Sequence, residues 1–533
     1  MKQRLLIAAT AAAVAISVLG AVPGSAAPRI NNGPLCTIKT PLATANCPSV
    51  VMATVTKPTN LDPSLPRAVT DYQIMYPQQG LLWRYDVNLV PRMDLLAKQD
   101  VSKDGLTIIQ ELKPGLVYSD GKTPVVAQDV VTSFNRWQVS KQSSSFIAKI
   151  ASVKANSATQ VVWTLSSPMP DFPYVMAAQF LFINPTGPLL ADPKEYFKHP
   201  MSAGPMVMSE WTPGADSMTI VANPYYWAKS KVGQIKFAAI PDAASRYLNL
   251  QQGAVDYIFD MGYTGVGTYD KKVITVGGHP QPGTYALTTN MGMAGSPLLD
   301  VYARQAISAA IDRAKVARIG FFNTVAPSCA NTFRMGNPYF QCALPNQGKQ
   351  DLVLAKQLLA KSATPNGFTM DLTVWNRPAW PEAAQIIAAD LAKIGITANI
   401  IVKQDTVAIA DMTAGNYQME FSGNNAATPI LQMLNWYAPG GSWTTWGRVN
   451  DPGITATLNA AGSATRPADI KALLLKANQQ AYGNSIHIPI ADRAVVSATR
   501  LPAGVMQATT PGEWLVVATE PALSTQKGPV GTK

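Results

Sequence analysis

Charged side chains are scarce in this sequence of 533 residues, and long runs of one charge are missing. Only 14% of the residues are charged, whereas 47% are hydrophobic. A disordered chain needs low hydrophobicity and many charges, so this composition excludes intrinsic disorder. The 41 prolines and 37 glycines follow no three-residue period, which excludes collagen. The length instead predicts a folded protein of three or four domain-sized units.

The patterns of common catalytic and metal sites are also missing. The three histidines, His199, His279 and His487, lie far apart and form no H-E-x-x-H pattern. There is no P-loop, no G-x-S-x-G elbow and no G-x-G-x-x-G followed by a helix. The sequence therefore predicts a protein that is not an enzyme and that uses no metal or cofactor.

The positive charge of the chain is dispersed. The formal net charge is +11, yet no run of five Lys or Arg occurs, and aromatic residues do not interleave with basic ones. A nucleic-acid groove needs clustered cations beside stacking rings. We therefore expect no nucleic-acid partner.

The first 27 residues have the pattern of a secretory signal peptide. Lys2 and Arg4 precede the apolar run Leu5–Leu19, and the small residues Ser25–Ala27 fit a cleavage site. The run is shorter than the roughly 20 apolar residues that span a bilayer, which disfavours the alternative of an uncleaved anchor. No cysteine stands at the cleavage point for a lipid anchor. We expect export to the periplasm or the cell surface.

Four cysteines occur, in two sequence-local pairs. Cys36 and Cys47 are 11 residues apart, and Cys329 and Cys342 are 13 apart. Four cysteines allow three connectivities, and the local one closes the shortest loops. Zinc sites need Cys-x-x-Cys pairs or nearby histidines, which are missing here. Export to an oxidising compartment therefore favours two disulfides.

Helix and strand signals alternate along the chain. Val50–Thr56, Leu106–Leu112 and Val161–Leu165 have strand patterns. Proline at the start and glycine at the end predict helices from Pro381 to Gly395 and from Pro467 to Gly483. Apolar spacing predicts a further helix from about Ala303 to Gly320, and Ile396–Val402 is β-branched. Repeated helix–strand units indicate α/β layers.

A series of short motifs resembles the family 5 extracellular solute-binding proteins of ABC transporters, which include dipeptide-, oligopeptide- and nickel-binding proteins. Each motif is weak alone, but they occur in the family's order. They are Asn60–Pro63, Gly80–Asp86, Leu89–Pro91, Asp104–Thr107, Leu112–Gly115, Tyr118–Pro124, Ala127–Val130, Ser133–Arg136, Gly204–Pro205, Asn223–Trp227, Ile240–Asp242, Gln252–Asp256 and Arg304–Arg313. We expect these motifs to be mostly structural, with Asp129 in the first turn of a helix and with Arg304, Asp312 and Arg313 in ion pairs.

The resemblance implies an α/β fold of two lobes around a hinged cleft, like type II periplasmic binding proteins, with an extra domain. It places lobe 1 at residues 28–84, 206–286 and 491–533. The extra domain is then residues 85–205, and lobe 2 is residues 287–490. The chain crossings near Tyr285–Asn290 and Ile486–Ile490 are strand-like and suit hinges.

The ligand is harder to predict, because the chain departs from its relatives. Peptide-binding members have a "W-x-A-D-Y-x-x-P" stretch whose Asp pairs with the peptide amine. Ser422 and Asn425 occupy the Trp and Asp positions here, and an amide accepts a hydrogen bond but supplies no charge. Aromatic side chains cluster nearby, and Arg377 suits a carboxylate. The predicted ligand-binding residues are Trp375, Asn376, Arg377, Trp380, Asn424, Asn425, Trp436, Trp443 and Trp446.

The resemblance predicts a monomeric binding protein that captures a small molecule or peptide and delivers it to an ABC permease. A peptide is the leading ligand, and an oligosaccharide or a small aromatic carboxylate is the alternative. Two other classes stay open at this point: a secreted hydrolase of unrecognised type, and a sensor or adhesin that presents a bound ligand.

Overall fold

The protein is described by a computed structural model that covers residues 49–501 with internal gaps, together with the short strands 506–509 and 514–517. The predicted signal peptide and the Cys36/Cys47 pair therefore lie outside the described residues. The gaps are residues 66–68, 87–89, 141–146, 179–180, 213, 229–231, 260, 263–265, 267–273, 330–341, 343, 424–428, 439–441 and 450.

Strands are distributed along the whole described chain. They are β1 (Ser49–Thr54), β2 (Trp83–Tyr85), β3 (Pro91–Met93), β4 (Leu96–Val101), β5 (Thr107–Leu112), β6 (Ile150–Ala155), β7 (Gln160–Leu165), β8 (Met206–Glu210), β9 (Ser217–Ala222), β10 (Gln234–Ala239), β11 (Tyr257–Ile258), β12 (Thr275–Thr289), β13 (Thr369–Trp375), β14 (Thr397–Lys403), β15 (Met419–Gly423), β16 (His487–Thr499), β17 (Met506–Thr509) and β18 (Trp514–Val517).

Helices are concentrated in the C-terminal half. They are α1 (Val69–Gln78), α2 (Ala127–Val139), α3 (Phe172–Met176), α4 (Thr186–Ala191), α5 (Pro193–Tyr196), α6 (Ala243–Gln252), α7 (Val301–Ala310), α8 (Arg313–Lys315), α9 (Leu352–Leu359), α10 (Trp380–Ala392), α11 (Asp405–Ala414), α12 (Pro429–Tyr437), α13 (Ser442–Gly447), α14 (Pro452–Ser463) and α15 (Pro467–Asn484). Short 3-10 turns lie at Pro297–Leu299 and Pro345–Gly348, and a π-helical turn lies at Val316–Gly320.

One ten-stranded sheet runs through the molecule in the order β14-β13-β15-β12-β16-β11-β1-β10-β9-β8. The strands β1 and β8–β11 form a first lobe, and β13–β15 form a second lobe. The long strands β12 and β16 join the two, because they pair antiparallel from Thr275 opposite Thr499 to Thr288 opposite His487. The pairing shifts between Pro280 and Thr284 and again between Tyr285 and Ala286.

Each part has its own hydrophobic core. The first lobe buries residues such as Met52, Ile220 and Phe237. A separate antiparallel sheet, β4-β5-β7-β6, forms an extra domain whose core includes Phe134 and Trp163. The core of the second lobe extends along the chain from Tyr285 to Ala491 and covers both faces of β13–β15 with helices.

Local signals predicted several elements correctly. The strands β1, β5 and β7 occur where strand patterns predicted them, and β14 occurs at the β-branched run Ile396–Val402. Helices α10 and α15 begin at the predicted prolines, within one residue. Asp129 is a first-turn acid of α2, as expected, and its carboxylate accepts the Val126 N–H at 3.1 Å.

Two expectations about the Arg304–Arg313 region are wrong. The predicted helix to Gly320 ends at Ala310, since Ile311 is extended and Asp312 caps a new turn by accepting the Lys315 N–H. Among the residues that the structure describes, Arg304 and Arg313 form no ion pair with a carboxylate. Arg313 is buried and donates to the carbonyls of Pro489, Ser308 and Gly348, so these arginines satisfy backbone oxygens where chain segments meet.

Candidate functional site at the waist of the sheet

The carboxyl ends of the second-lobe strands point towards the first lobe. β13 is parallel to both β14 and β15, and β15 is antiparallel to β12. Gly423, the last residue of β15, lies opposite Tyr285, where β12 enters the second lobe. The strand ends at Trp375, Lys403 and Gly423 therefore lie at the edge that faces the first lobe.

The first-lobe strands have the complementary direction. β11 is antiparallel to β16, with Ile258 opposite Ala498, and β1 is parallel to both β11 and β10. The carboxyl ends of β1 and β10, at Thr54 and Ala239, thus point towards the second lobe. We call the strip between these two edges, around the Tyr285–Ala491 pair, the waist. Open α/β sheets bind ligands outside the carboxyl ends of their strands.

Aromatic side chains form the second-lobe edge of the waist. The Tyr285 ring stacks on Phe321 with 4.5 Å between centroids, and Trp380 meets Tyr285 edge-on at 5.4 Å. Phe421 lies 6.4 Å from Tyr285 in the same cluster. Next to this cluster, Phe322 leaves 44% of its surface exposed. An exposed phenylalanine on a fixed aromatic base is suited to contact an apolar group.

The backbone of this edge is held in unusual conformations. Phe322, Asn323 and Ala379 have positive φ values of 52°, 60° and 71°. Such conformations cost of order 1–3 kcal/mol for residues with a side chain, and they cluster at ligand-binding sites. Gly320 makes this arrangement possible, because a Cβ there would lie 2.8 Å from the Cα of Ala383.

Arg377 lies over two of the predicted tryptophans. Its guanidinium carbon is 5.0 Å from the Trp375 ring centroid and 5.1 Å from that of Trp380. Its Nε and Nη2 both donate to Asp405 Oδ2, at 2.9 and 2.7 Å. Asp405 therefore occupies the carboxylate-binding side of the guanidinium, which opposes the expectation that Arg377 holds a ligand carboxylate.

The structure brings four of the predicted ligand-binding residues together at the waist. Asn376 is exposed beside Arg377, while Trp375 and Trp380 are mostly buried beneath it. The indole rings of Trp375 and Trp380 are 6.0 Å apart. These residues form one surface because they occupy the turn between β13 and α10.

Two other predicted residues lie away from the waist. Trp436 is 1% exposed, and its ring centroid is 4.0 Å from that of the buried His487. His487 lies at the end of β16 that is far from the first lobe. Trp446 lies near the start of β15, where its carbonyl accepts the Tyr417 hydroxyl at 2.7 Å. Both positions argue against ligand contact, since His487 and Tyr417 lie at the ends of β16 and β15 that point away from the waist.

The remaining predicted residues are described in part or not at all. Asn424 and Asn425 lie outside the described residues, and of Trp443 only the backbone is described, within α13. Ser422 is buried and donates to Glu420 Oε2 at 3.0 Å, so it does not occupy the place of an exposed tryptophan. The Cys329–Cys342 disulfide is present, with 5.0 Å between the Cα atoms.

Sequence reasoning missed Tyr285, Phe321, Phe322 and Arg493. Arg493 is half-buried on β16, and its Cδ would lie 3.5 Å from a Cβ placed at Gly423. The chain crossings predicted near Tyr285–Asn290 and Ile486–Ile490 were a signal that Tyr285 and the nearby Arg493 lie between the lobes. For the phenylalanines, the only signal was a Gly-Phe-Phe sequence after a predicted helix.

Glu420 is a buried acid behind the aromatic edge. Its Oε1 has no hydrogen-bond partner among the described residues, and Oε2 accepts from Ser422. Burial disfavours the carboxylate and raises the pKa of Glu420 to about 8, although the Ser422 hydroxyl and the Trp375 indole oppose part of the shift. Glu420 is therefore mostly protonated at neutral pH.

The architecture matches that of solved binding proteins. HbpA2 from Haemophilus parasuis superposes with a TM-score of 0.75 at 22% identity, over 87% of this chain and 98% of that chain. At this identity the similarity establishes the fold. Two α/β lobes joined by paired strands form the fold of the two-lobed periplasmic binding proteins.

The family follows from the sequence comparison. A family model described as bacterial extracellular solute-binding proteins, family 5 middle, matches residues 91–444. The chain belongs to this family, which confirms the resemblance of its motifs. It is 25% identical over 422 residues to the oligopeptide-binding protein OppA of Mycobacterium tuberculosis, covering 73% of this chain and 69% of that protein. It is 25% identical over 415 residues to the glutathione-binding protein GsiB of Escherichia coli, covering 73% and 78%.

Two further features concern membranes and metal ions in the part of the chain that the structure describes. Within them, no helix combines the length and apolarity needed to cross a bilayer. The same part of the chain has no group of three or more His, Cys, Asp or Glu side chains placed to hold a metal ion.

The raised pKa of Glu420 predicts a pH-dependent stability. The folded protein binds a proton that the unfolded chain releases near its ordinary pKa of 4.5, so this contribution is complete below pH 4.5 and is lost as the pH rises through 8. Substituting Glu420→Gln removes it. Between pH 5 and pH 8, the free energy of unfolding measured with urea should fall by roughly 3 kcal/mol more for wild type than for the variant.

Glu382→Gln is the matched control, because Glu382 is exposed on α10 in the same lobe. It should keep the wild-type pH dependence. Equal pH slopes for wild type and Glu420→Gln would contradict the assignment of a protonated acid behind the waist.

Proposed function

We propose that this protein captures a peptide at the waist between its lobes and delivers it to an ABC importer. The observation that carries the proposal is the convergence of strand carboxyl edges from both lobes on one aromatic-lined waist, in a chain of family 5. Two relatives matched over most of this chain are named for oligopeptide and glutathione binding, which favours a peptide over other solutes.

Capture follows from closure of the lobes. A ligand that contacts both edges of the waist binds the closed arrangement more tightly and shifts the population towards it. β12 and β16 are the connections that bend, and the pairing shifts at Pro280–Thr284 and Tyr285–Ala286 are natural places for bending. A permease then recognises the closed form, and the ligand leaves chemically unchanged.

The edges supply different contacts for an extended ligand. The second-lobe edge offers the exposed Phe322 ring and the Asn376 amide. On the first-lobe edge, the loop after β1 is fixed where buried Asp71 accepts the Thr59 N–H at 2.6 Å. Arg493 is half-buried on β16, and its Cδ lies beside Gly423 at the waist. Asn424 and Asn425 belong to this proposed site by the sequence argument.

The finer features are part of the same proposal. Residues 1–27 act as the signal peptide, and the exported protein works as a monomer without a lipid anchor or catalytic activity. The lobe boundaries proposed from the sequence have support from the cores, since the second-lobe core ends at Ala491 and the extra-domain core spans Leu82 to Ala203.

The direct test is to identify what the protein retains. Protein secreted from cells grown on a peptide-rich medium is analysed by native mass spectrometry, and the released ligand is sequenced by fragmentation. A retained peptide is expected. A retained oligosaccharide or aromatic acid would overturn the peptide assignment, and turnover of an added peptide would favour a hydrolase.

Phe322 provides a test of the waist. Substituting Phe322→Ala removes an exposed ring that the ligand covers, so peptide affinity measured by calorimetry should fall about tenfold. The matched control is Leu299→Ala, because Leu299 is 39% exposed but follows the far end of β12. It should leave the affinity unchanged. Equal affinities for the two variants would remove Phe322 from the site.

Asn425 provides a test of amine recognition. If a peptide amine lies beside Asn425, substituting Asn425→Asp adds a charge-assisted hydrogen bond and should raise affinity about five- to tenfold. N-acetylated peptides should gain nothing. Asn366→Asp makes the same charge change at an exposed position near the start of β13 and should have no effect. If Asn425→Asp leaves the affinity unchanged, the amine does not bind there.

A further inference from the structure

A second compartment lies between the extra domain and the second lobe. It is a cavity of about 750 Å³ with one wall from residues 99–108 and 168–174 and the other from residues 464–471. Ligand cavities usually fall between about 300 and 1,000 Å³. None of its lining residues belongs to the aromatic edge of the waist, so the two compartments are separate.

The floor of the cavity is apolar. Ile108, Met169 and Phe172 line it from the extra domain, and Ile470 lines it from α15. Each of these side chains is at least nine-tenths buried. Phe172 is fixed from behind by Trp163, with 5.5 Å between the ring centroids. The floor is thus rigid and shaped for a hydrocarbon or aromatic body.

The rim of the cavity is cationic. Lys103, Arg466 and Lys471 line it, against one lining acid, Asp100. Arg466 pairs with Asp469, and Asp100 pairs with Lys98, but Lys103 and Lys471 form no ion pair within the described residues. The N-terminus of α15 also lies at this rim, and Arg466 caps it without a side-chain hydrogen bond. A helix N-terminus adds positive potential.

We propose that this cavity is a second ligand site, which takes a molecule with an apolar body and one anionic group. The apolar body lies on the Ile108–Phe172–Ile470 floor, and the anionic group faces Lys103 and Lys471. Binding here involves no covalent step, and it uses side chains other than those proposed for peptide recognition at the waist.

The cavity exists only while its two walls meet. Lys149 bridges them, since its Nζ donates to Pro168 O at 3.3 Å and to Gly462 O at 3.4 Å. Gly105 also lies against Thr465, whose Cγ2 would be 2.9 Å from a Cβ at position 105. A ligand in the cavity therefore favours the closed form, a consequence that rests on the closure proposed above.

The test uses three probes of one size and different charge: octanoate, octanol and octylamine, titrated into the mature protein by calorimetry. Wild type should bind octanoate at least tenfold more tightly than octylamine, with octanol between them. In the double variant Lys103→Glu/Lys471→Glu, the order should reverse. Both lysines are exposed, so the variant should fold, and circular dichroism verifies this.

Lys476→Glu is the control, because Lys476 is exposed on the same helix but does not line the cavity. It should bind the probes as wild type does. Equal binding of octanoate and octylamine to wild type, or unchanged octanoate binding in the double variant, would overturn the proposal. Peptide affinity measured on the same double variant should persist, which separates failure of this site from failure of the waist.

Discussion

The pairing of β12 with β16 is the constraint on which the rest of the structure depends. These strands belong to both lobes, and their register decides which residues of one lobe face which residues of the other. A slip of one residue would turn every side chain to the opposite face of the sheet. The carboxyl edges meet at the waist because Gly423 is fixed opposite Tyr285 and Ile258 opposite Ala498. The two edges of the waist thus face each other because of the strand register and not because of any local motif.

The same register builds a buried polar row across the second-lobe sheet. Glu420 lies opposite Thr373 and Thr288, and Thr288 Oγ1 is 3.1 Å from His487 Nδ1. Burial lowers the pKa of His487 to about 3, so both titratable groups are uncharged at neutral pH. The stability that neutral His487 contributes to the fold is lost as the pH falls below 6.5. The stability that protonated Glu420 contributes is lost as the pH rises above 4.5. The lobe behind the waist is therefore most stable in mildly acidic solution.

The sequence predicted what local signals determine. The family, the α/β class and helices such as α10 and α15 depend on motifs, prolines and apolar spacing that lie within a few residues. It did not predict the break at Ile311, where the backbone N–H of Asp312 donates to the carboxylate of Asp390, 78 residues away in the sequence. Nor did the sequence predict that Trp380 lies at the waist and Trp436 does not, since both are aromatic residues of apolar helices. Which of them reaches the waist depends on the direction in which each helix leaves the sheet.

The closure proposed for the two lobes would link the waist to the cavity at the extra domain. The extra domain joins the first lobe, whereas residues 464–471 belong to the second, so the movement that brings the waist edges together also joins the cavity walls. A ligand in the cavity would stabilise the same arrangement as a ligand at the waist. Each would therefore favour binding of the other, and linkage requires this effect on affinity to be reciprocal. The contacts of Lys149 with two backbone carbonyls need no particular ligand. In the proposed closure, these contacts would stabilise the joined walls without a ligand, and a ligand in either compartment would add to that stability.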